Sequence, residues 1–246
     1  MAVASGSGTE PEVPTVPRWW AGVGRVVFAL AALLSFTGNG LSFYIGSWKD
    51  SGLPENAGYA GVFEGGWEHL VNQPSYFTFL SNFLVGLTSL LLAIRVHRTS
   101  DVFQALRIAA VVCIVVTGVV FNVLLRDADP LTRVEQVNDT IQHVLAPLLT
   151  PLVWLVFDPH GQVTWKRIGL ASSVPLAWLV FTLARGPFLD WYPYTILDVP
   201  RMGYGGVAVY MVSILAFFFA VSAVLWAVDQ LLVRLARRSS AMARAR

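Results

Sequence analysis

The chain has 246 residues, of which 55% are hydrophobic and only 13% charged, with a mean hydropathy of +0.60. A soluble domain carries about 25% charged residues, so an ordinary soluble domain is excluded and the length is taken up by membrane-crossing segments. The net charge of +2 says little, but its distribution along the chain says more.

The first 18 residues are rich in Pro, Ser, Gly and Val without periodicity, which predicts a disordered tail. A cleavable leader needs a basic start followed by a short apolar stretch. This tail lacks the basic start, and the apolar run beyond it is long enough to span, so no cleavage is expected. A span needs about 20 apolar residues. Six runs meet or approach that length: Val23–Ile45, Tyr76–Ile94, Ala105–Leu125, Thr140–Phe157, Ile168–Ala184 and Gly206–Leu232. They predict an all-α integral membrane bundle of six transmembrane helices over 19–233, followed by a basic tail over 234–246. Pro147, Pro151 and Pro175 interrupt the fourth and fifth runs. Proline removes a backbone donor and kinks a helix, which a bundle tolerates when other groups take up the freed carbonyls. The one cysteine, Cys113, lies in an apolar run and reads as a small buried hydrophobe. No internal repeat is visible, so an inverted-repeat transporter gains no support.

Lys and Arg count one, two and two in the first, third and fifth loops, against three, two and five in the second loop, the fourth loop and the C-terminal segment. The positive-inside rule then puts both termini in the cytosol, in a cell membrane. The C-terminal arginines read as an anchor at anionic lipid rather than a nucleic-acid site. No zinc-ligand spacing, phosphate loop, dinucleotide fingerprint or nucleophile-elbow motif occurs, so neither a metal nor a cofactor is expected.

With this orientation the second, fourth and sixth spans begin at the outer face. Of four histidines, only His143 falls inside an apolar run, and ionisable residues in hydrocarbon are usually functional. Thr78 is two residues into the second run and His143 three into the fourth, so both lie roughly 3–5 Å past the helix start at 1.5 Å per residue. A base beside a hydroxyl is the minimum kit for nucleophilic hydrolysis. Asp139 precedes His143 by four residues and can orient its ring, although a helix cap is the plainer alternative. Ser81 and Asn82 share the helix face of Thr78 and are candidate oxyanion donors. Asn39 lies near the outer end of the first run. The fifth loop, Arg185-Gly-Pro-Phe-Leu-Asp190-Trp-Tyr-Pro-Tyr194-Thr-Ile-Leu-Asp198, is aromatic and proline-stiffened and is suited to cap an outer pocket. Within it Arg185 can grip a carboxylate. The aromatic residues also fit an interfacial belt, and the asparagines fit interhelical hydrogen bonding.

Three segments carry a family resemblance: Tyr76-Phe-Thr78-Phe-Leu-Ser81-Asn82, Asp139-Thr-Ile-Gln-His143-Val-Leu-Ala-Pro147 and Trp191-Tyr-Pro-Tyr194-Thr-Ile-Leu-Asp198. Over roughly Trp20–Leu232 the chain resembles bacterial members of the androgen-induced protein and androgen-dependent TFPI-regulating protein family. The resemblance implies a multi-span hydrolase of fatty acid esters of hydroxy fatty acids, with a threonine matching Thr78 and a histidine matching His143. The expectation is therefore an intramembrane hydrolase of lipid-like esters, with Thr78 and His143 catalytic and with Asp139, Ser81, Asn82, Asn39, Arg185, Tyr194 and Asp198 supporting them or binding substrate. The partners expected are a fatty-ester substrate and membrane lipids. Two other readings stay open: a lipid-binding or scaffold membrane protein that does no chemistry, and a proton-coupled transporter using His143.

Overall fold

A computed structural model describes residues 18–126 and 130–244. The expected N-terminal tail lies outside the described residues, apart from Arg18. Every regular element among them is helical. In chain order these are α1 (Arg18–Gly46), α2 (Trp67–Asn72), α3 (Phe77–Ile94), α4 (Asp101–Val120), α5 (Arg133–Thr140), α6 (Ala146–Phe157), α7 (Trp165–Leu189) and α8 (Val199–Arg244). A π-helical turn, Phe121–Leu125, extends α4, and a second, Ile141–Leu145, joins α5 to α6 as one continuous rod. Six helices are long and apolar enough to cross a membrane: Trp19–Gly46, Phe77–Ile94, Asp101–Leu125, Arg133–Phe157, Trp165–Leu189 and Val199–Ser239.

All of these spans but the second outrun their apolar runs, and for three of them caps explain why. Ser100 accepts from Phe103 N–H and Thr164 from Arg167 N–H, while Thr132 and Glu135 form a reciprocal capping box. Such caps satisfy orphan amides at the helix starts, so each of these three helices begins in polar sequence ahead of its apolar run. The fourth span thus starts at Arg133 rather than Thr140. The basic segment expected beyond residue 233 is helical to Arg244, as an exposed continuation of α8. At 1.5 Å per residue α8, with its 46 residues, spans roughly 70 Å, more than twice the hydrocarbon thickness. It is broken near its start by Gly203, whose φ of 68° lies in the region open to glycine.

The third span, α4, is the centre of the bundle. It packs against α3, α6, α7 and α8, and its residues Ala109 to Ile114 are fully buried. The first span covers α3 and the α5–α6 rod from the other side. By contrast the backbones of α7 and α8 both lean on α4 but stand apart from each other, although Trp165 and Trp226 meet at one end with ring centres 5.6 Å apart.

The end of the bundle that carries the first loop and the α7–α8 connection holds an ordered cap. Chain from the first loop is pinned to the segment between α7 and α8: Gly58 N–H donates to Asp198 Oδ2 (2.7 Å), Ala60 N–H to Asp190 Oδ2 (3.0 Å) and Gly61 N–H to the Asp190 carbonyl (2.7 Å). A Cβ at Gly58 or Gly61 would lie 2.5 Å from backbone atoms of Arg201 or Asp190, so only glycine allows this approach. Tyr59, Trp191, Tyr192, Ile196 and Leu197 bury themselves in a small core of their own.

Candidate functional site

Pro147 sets up the local backbone. It has no N–H to give the His143 carbonyl four residues earlier, and the helix widens there so that Ala146 N–H reaches back to Ile141 O. Such π turns recur at functional sites. The freed His143 carbonyl is taken up by Asn122 Nδ2 at 2.9 Å, and the same amide donates to Gly118 O at 2.7 Å. Gly118 permits the contact, since a Cβ there would meet Pro147 Cβ at 2.5 Å. The sequence around His143 therefore fixes its backbone against α4 at a defined height.

The side chains then form a line. Asp139 Oδ1 lies 2.8 Å from His143 Nδ1, and His143 Nε2 lies 3.3 Å from Thr78 Oγ1. Asp139 is the seventh residue of α5, whose cap is Thr132, so its carboxylate serves the imidazole and not a helix terminus. With Asp139 accepting from Nδ1–H, Nε2 is left as the acceptor facing the threonine hydroxyl. Arg126 Nη1 holds the other Asp139 oxygen at 3.1 Å, and its guanidinium lies 5.1 Å from the centre of the Phe121 ring. Phe121 in turn stacks on His143, with ring centres 3.4 Å apart and planes 3° apart. The imidazole is thus held at its edge by Asp139 and on its face by Phe121.

Thr78 is the second residue of α3. Its amide donates to Tyr194 Oη at 3.2 Å, and its hydroxyl lies 3.4 Å from the same oxygen. Burial pushes the Tyr194 phenol above its usual range, and hydrogen bonds from Thr78 offset this only in part. It therefore stays a neutral group with a proton to give. Thr78, Phe121 and Tyr194 open onto a cavity of about 460 Å³ between α4, α7 and α8, while His143 stands behind Phe121, outside the cavity lining. That volume falls within the range of small-molecule sites.

The remaining expected residues have other work. Ser81 donates to Phe77 O (2.8 Å) and accepts from Thr117 (3.0 Å), and Asn82 Nδ2 donates to Thr78 O (3.0 Å). Neither offers its side-chain donor to the Thr78 hydroxyl, because both bond back along their own helix. Asn39 donates to Phe79 O at 3.3 Å, tying α1 to α3 one residue from Thr78. Arg185 donates to Ser75 Oγ at 2.6 Å and lies among Phe63, Phe181 and Trp191, away from the cavity lining. Asp198 is fully buried and accepts from Gly58 and Arg201 amides, so it pins the cap. Phe121, Asn122 and Arg126 form part of the site without having been read as such from the sequence. Their only signal was that α4 ends in an aromatic, an amide and an arginine within about a turn and a half.

No family model, no curated protein and no solved structure matches this chain.

Proposed function

We propose that this protein is an intramembrane hydrolase of lipid-like esters, with Thr78 as nucleophile and His143 as its base, as its resemblance to the androgen-induced protein family implies. The observation that carries the reading is the continuous Asp139–His143–Thr78 line ending at the wall of an apolar cavity. Free threonine is a poor nucleophile and requires such a base. In the first half-reaction Thr78 Oγ1 attacks the ester carbonyl carbon and His143 Nε2 takes its proton. As the tetrahedral intermediate collapses, His143 returns that proton to the departing alkoxide, leaving an acyl-threonine. In the second half a water attacks the acyl carbon, His143 removes a proton from it, and the Thr78 oxygen leaves and is reprotonated. Asp139 keeps the imidazole in the right tautomer throughout and steadies its charged form. The phenol of Tyr194, 3.4 Å from the Thr78 hydroxyl, supplies a neutral donor beside the point of attack.

Two features favour this over transport or a purely structural role. A proton-coupled transporter needs a polar path between the faces, but here the outer polar layer is divided from the inner one by the tightly buried Val85, Ala110 and Ile114. A scaffold would fill the site with side chains, whereas Thr78 opens onto a cavity. We further assign the protein to the cell membrane with both termini cytosolic, on the Lys and Arg distribution, which sets the site in the outer leaflet. The test is hydrolysis of a long-chain fatty ester by purified, detergent-solubilised protein. Wild type is expected to turn over while Thr78→Ala and His143→Ala do not. Equal turnover by Thr78→Ala would overturn the assignment of the nucleophile.

A further inference from the structure

The cavity is strongly graded in polarity. Its hydroxyl-bearing lining residues Thr78, Tyr194 and Tyr204 lie toward the outer end, while Thr117, beside the floor, spends its hydroxyl as a donor to Ser81 of α3. Its floor, formed by Val116, Pro175 and Phe218, is wholly apolar. From Leu125 down to Val116 on α4, and from Leu183 down to Pro175 on α7, the lining covers eight or nine residues, or roughly 12–14 Å at 1.5 Å per residue. The water-facing end is closed by the cap, in which Leu197 is 0% and Tyr192 2% exposed. The side between α7 and α8 is different. The backbones of these two helices stand apart along the cavity, and the cavity residues Leu176 and Val212, one on each, are 41% and 66% exposed to what would be lipid.

We propose that the gap between α7 and α8 is a side door from the bilayer, and that the cavity holds a single unbranched acyl chain whose carbonyl end stops at Thr78. This rests on the hydrolase reading for the role of the carbonyl, but not for the binding itself. The polarity gradient selects an amphiphile with one polar end. The closed cap and the exposed rim residues select access from the membrane rather than from water. The depth sets a length: Ser81, one turn along α3 from Thr78, bonds Thr117 beside the floor residue Val116, so the floor lies roughly 6–8 Å from Thr78, and a zigzag advancing roughly 1.25 Å per carbon reaches it in about five or six carbons. Longer chains must leave their ends in the gap between the helices, where lipid can accommodate them.

The experiment uses the full chain carrying Thr78→Ala, so that nothing is consumed, in nanodiscs of phosphatidylethanolamine and phosphatidylglycerol. The probe is a dodecanoic acid methyl ester with a photoreactive diazirine on carbon 5. Saturable labelling on cavity-facing Leu176, Leu215 or Phe218, with little on the lipid-facing Val180 and Val209, is expected. Competing methyl esters should gain potency steeply up to about five or six carbons and then level off. Leu215→Trp, which raises the floor, should shift that break to shorter chains by one or two carbons. Leu176→Trp, which narrows the exposed rim without entering the core, should slow labelling at least tenfold and leave the break unchanged. Non-saturable labelling spread over Val180 and Val209, or a break that ignores Leu215→Trp, would overturn the proposal. Saturable cleft labelling beside a wild type that hydrolyses no ester would support this site and refute the hydrolase reading. Turnover without cleft labelling would do the reverse.

Discussion

Two layers of this bundle hold charge inside apolar helices, and they are built to opposite ends. In the inner layer Arg107 is 2% exposed and gives Asp158 two hydrogen bonds, at 2.7 and 2.8 Å, with two more to Thr88 and Ser89 at 3.3 and 3.2 Å. Just after Asp158 in sequence, the amides of Gly161 and Val163 donate to Asp229 of α8, which so locks the loop before α7. None of these residues lines the cavity. In the outer layer the Asp139–His143–Thr78 line is strung in series, and its last members, the Thr78 and Tyr194 hydroxyls, end at open space. A buried charge in a membrane helix is thus not in itself a sign of chemistry. What separates the two layers is whether the final donor has a protein partner or an empty volume in front of it.

The comparison breaks most sharply at the outer line. Removing Thr78 or His143 should lower ester hydrolysis by about 10³–10⁴-fold, and the double variant should be no worse than either single one, because the two act as a unit. Thermal unfolding of both variants should match wild type. Additive losses would mean that the residues do not cooperate.

The inner layer should respond the other way. Asp158→Ala strands a buried guanidinium and should cost about 3–5 kcal/mol of stability, read as a large drop in the melting temperature of the solubilised protein. Replacing both partners with apolar residues should recover most of that loss. Turnover per folded molecule should stay unchanged in the double variant, and a catalytic defect there would dissolve the division between layers.

Tyr194→Phe sharpens the outer site. Losing one donor to a developing oxyanion typically costs ~10²–10³ in rate, so kcat should fall on that scale while KM moves little. Smaller still is Arg126→Gln. The Arg126–Asp139 contact is partly exposed, and such pairs contribute on the order of 1 kcal/mol or less. A loss of a few-fold in kcat/KM is expected, most visible at low salt.

The six spans were legible in composition because apolar length is what a bilayer demands. Their ends were not, because Ser100, Thr132 and Thr164 start helices by capping chemistry that a hydropathy average dilutes. The pairing of Thr78 with His143 was legible from their matched depth, although the fourth helix begins two turns earlier than its apolar run and the π turn at Pro147 fixes where His143 stands. Arg107 and Asp158 read as loop charges, since each sits beside a run boundary, and Asp229 disappeared inside a long apolar run. Ser81 and Asn82 shared a face with Thr78, but spacing along a helix cannot reveal that a side chain turns back to its own carbonyls. The cavity itself has no sequence signature, because it depends on how far apart the backbones of α7 and α8 stand.

The most direct measurement is the site of covalent capture. Purified protein treated with a long-chain alkyl fluorophosphonate loses fluoride as the nucleophile's oxygen bonds to phosphorus, and tandem mass spectrometry then locates the adduct. The account predicts one adduct per chain on Thr78, absent in Thr78→Ala and greatly slowed in His143→Ala. An adduct on Ser81 or any other hydroxyl, or labelling undiminished in Thr78→Ala, would contradict it.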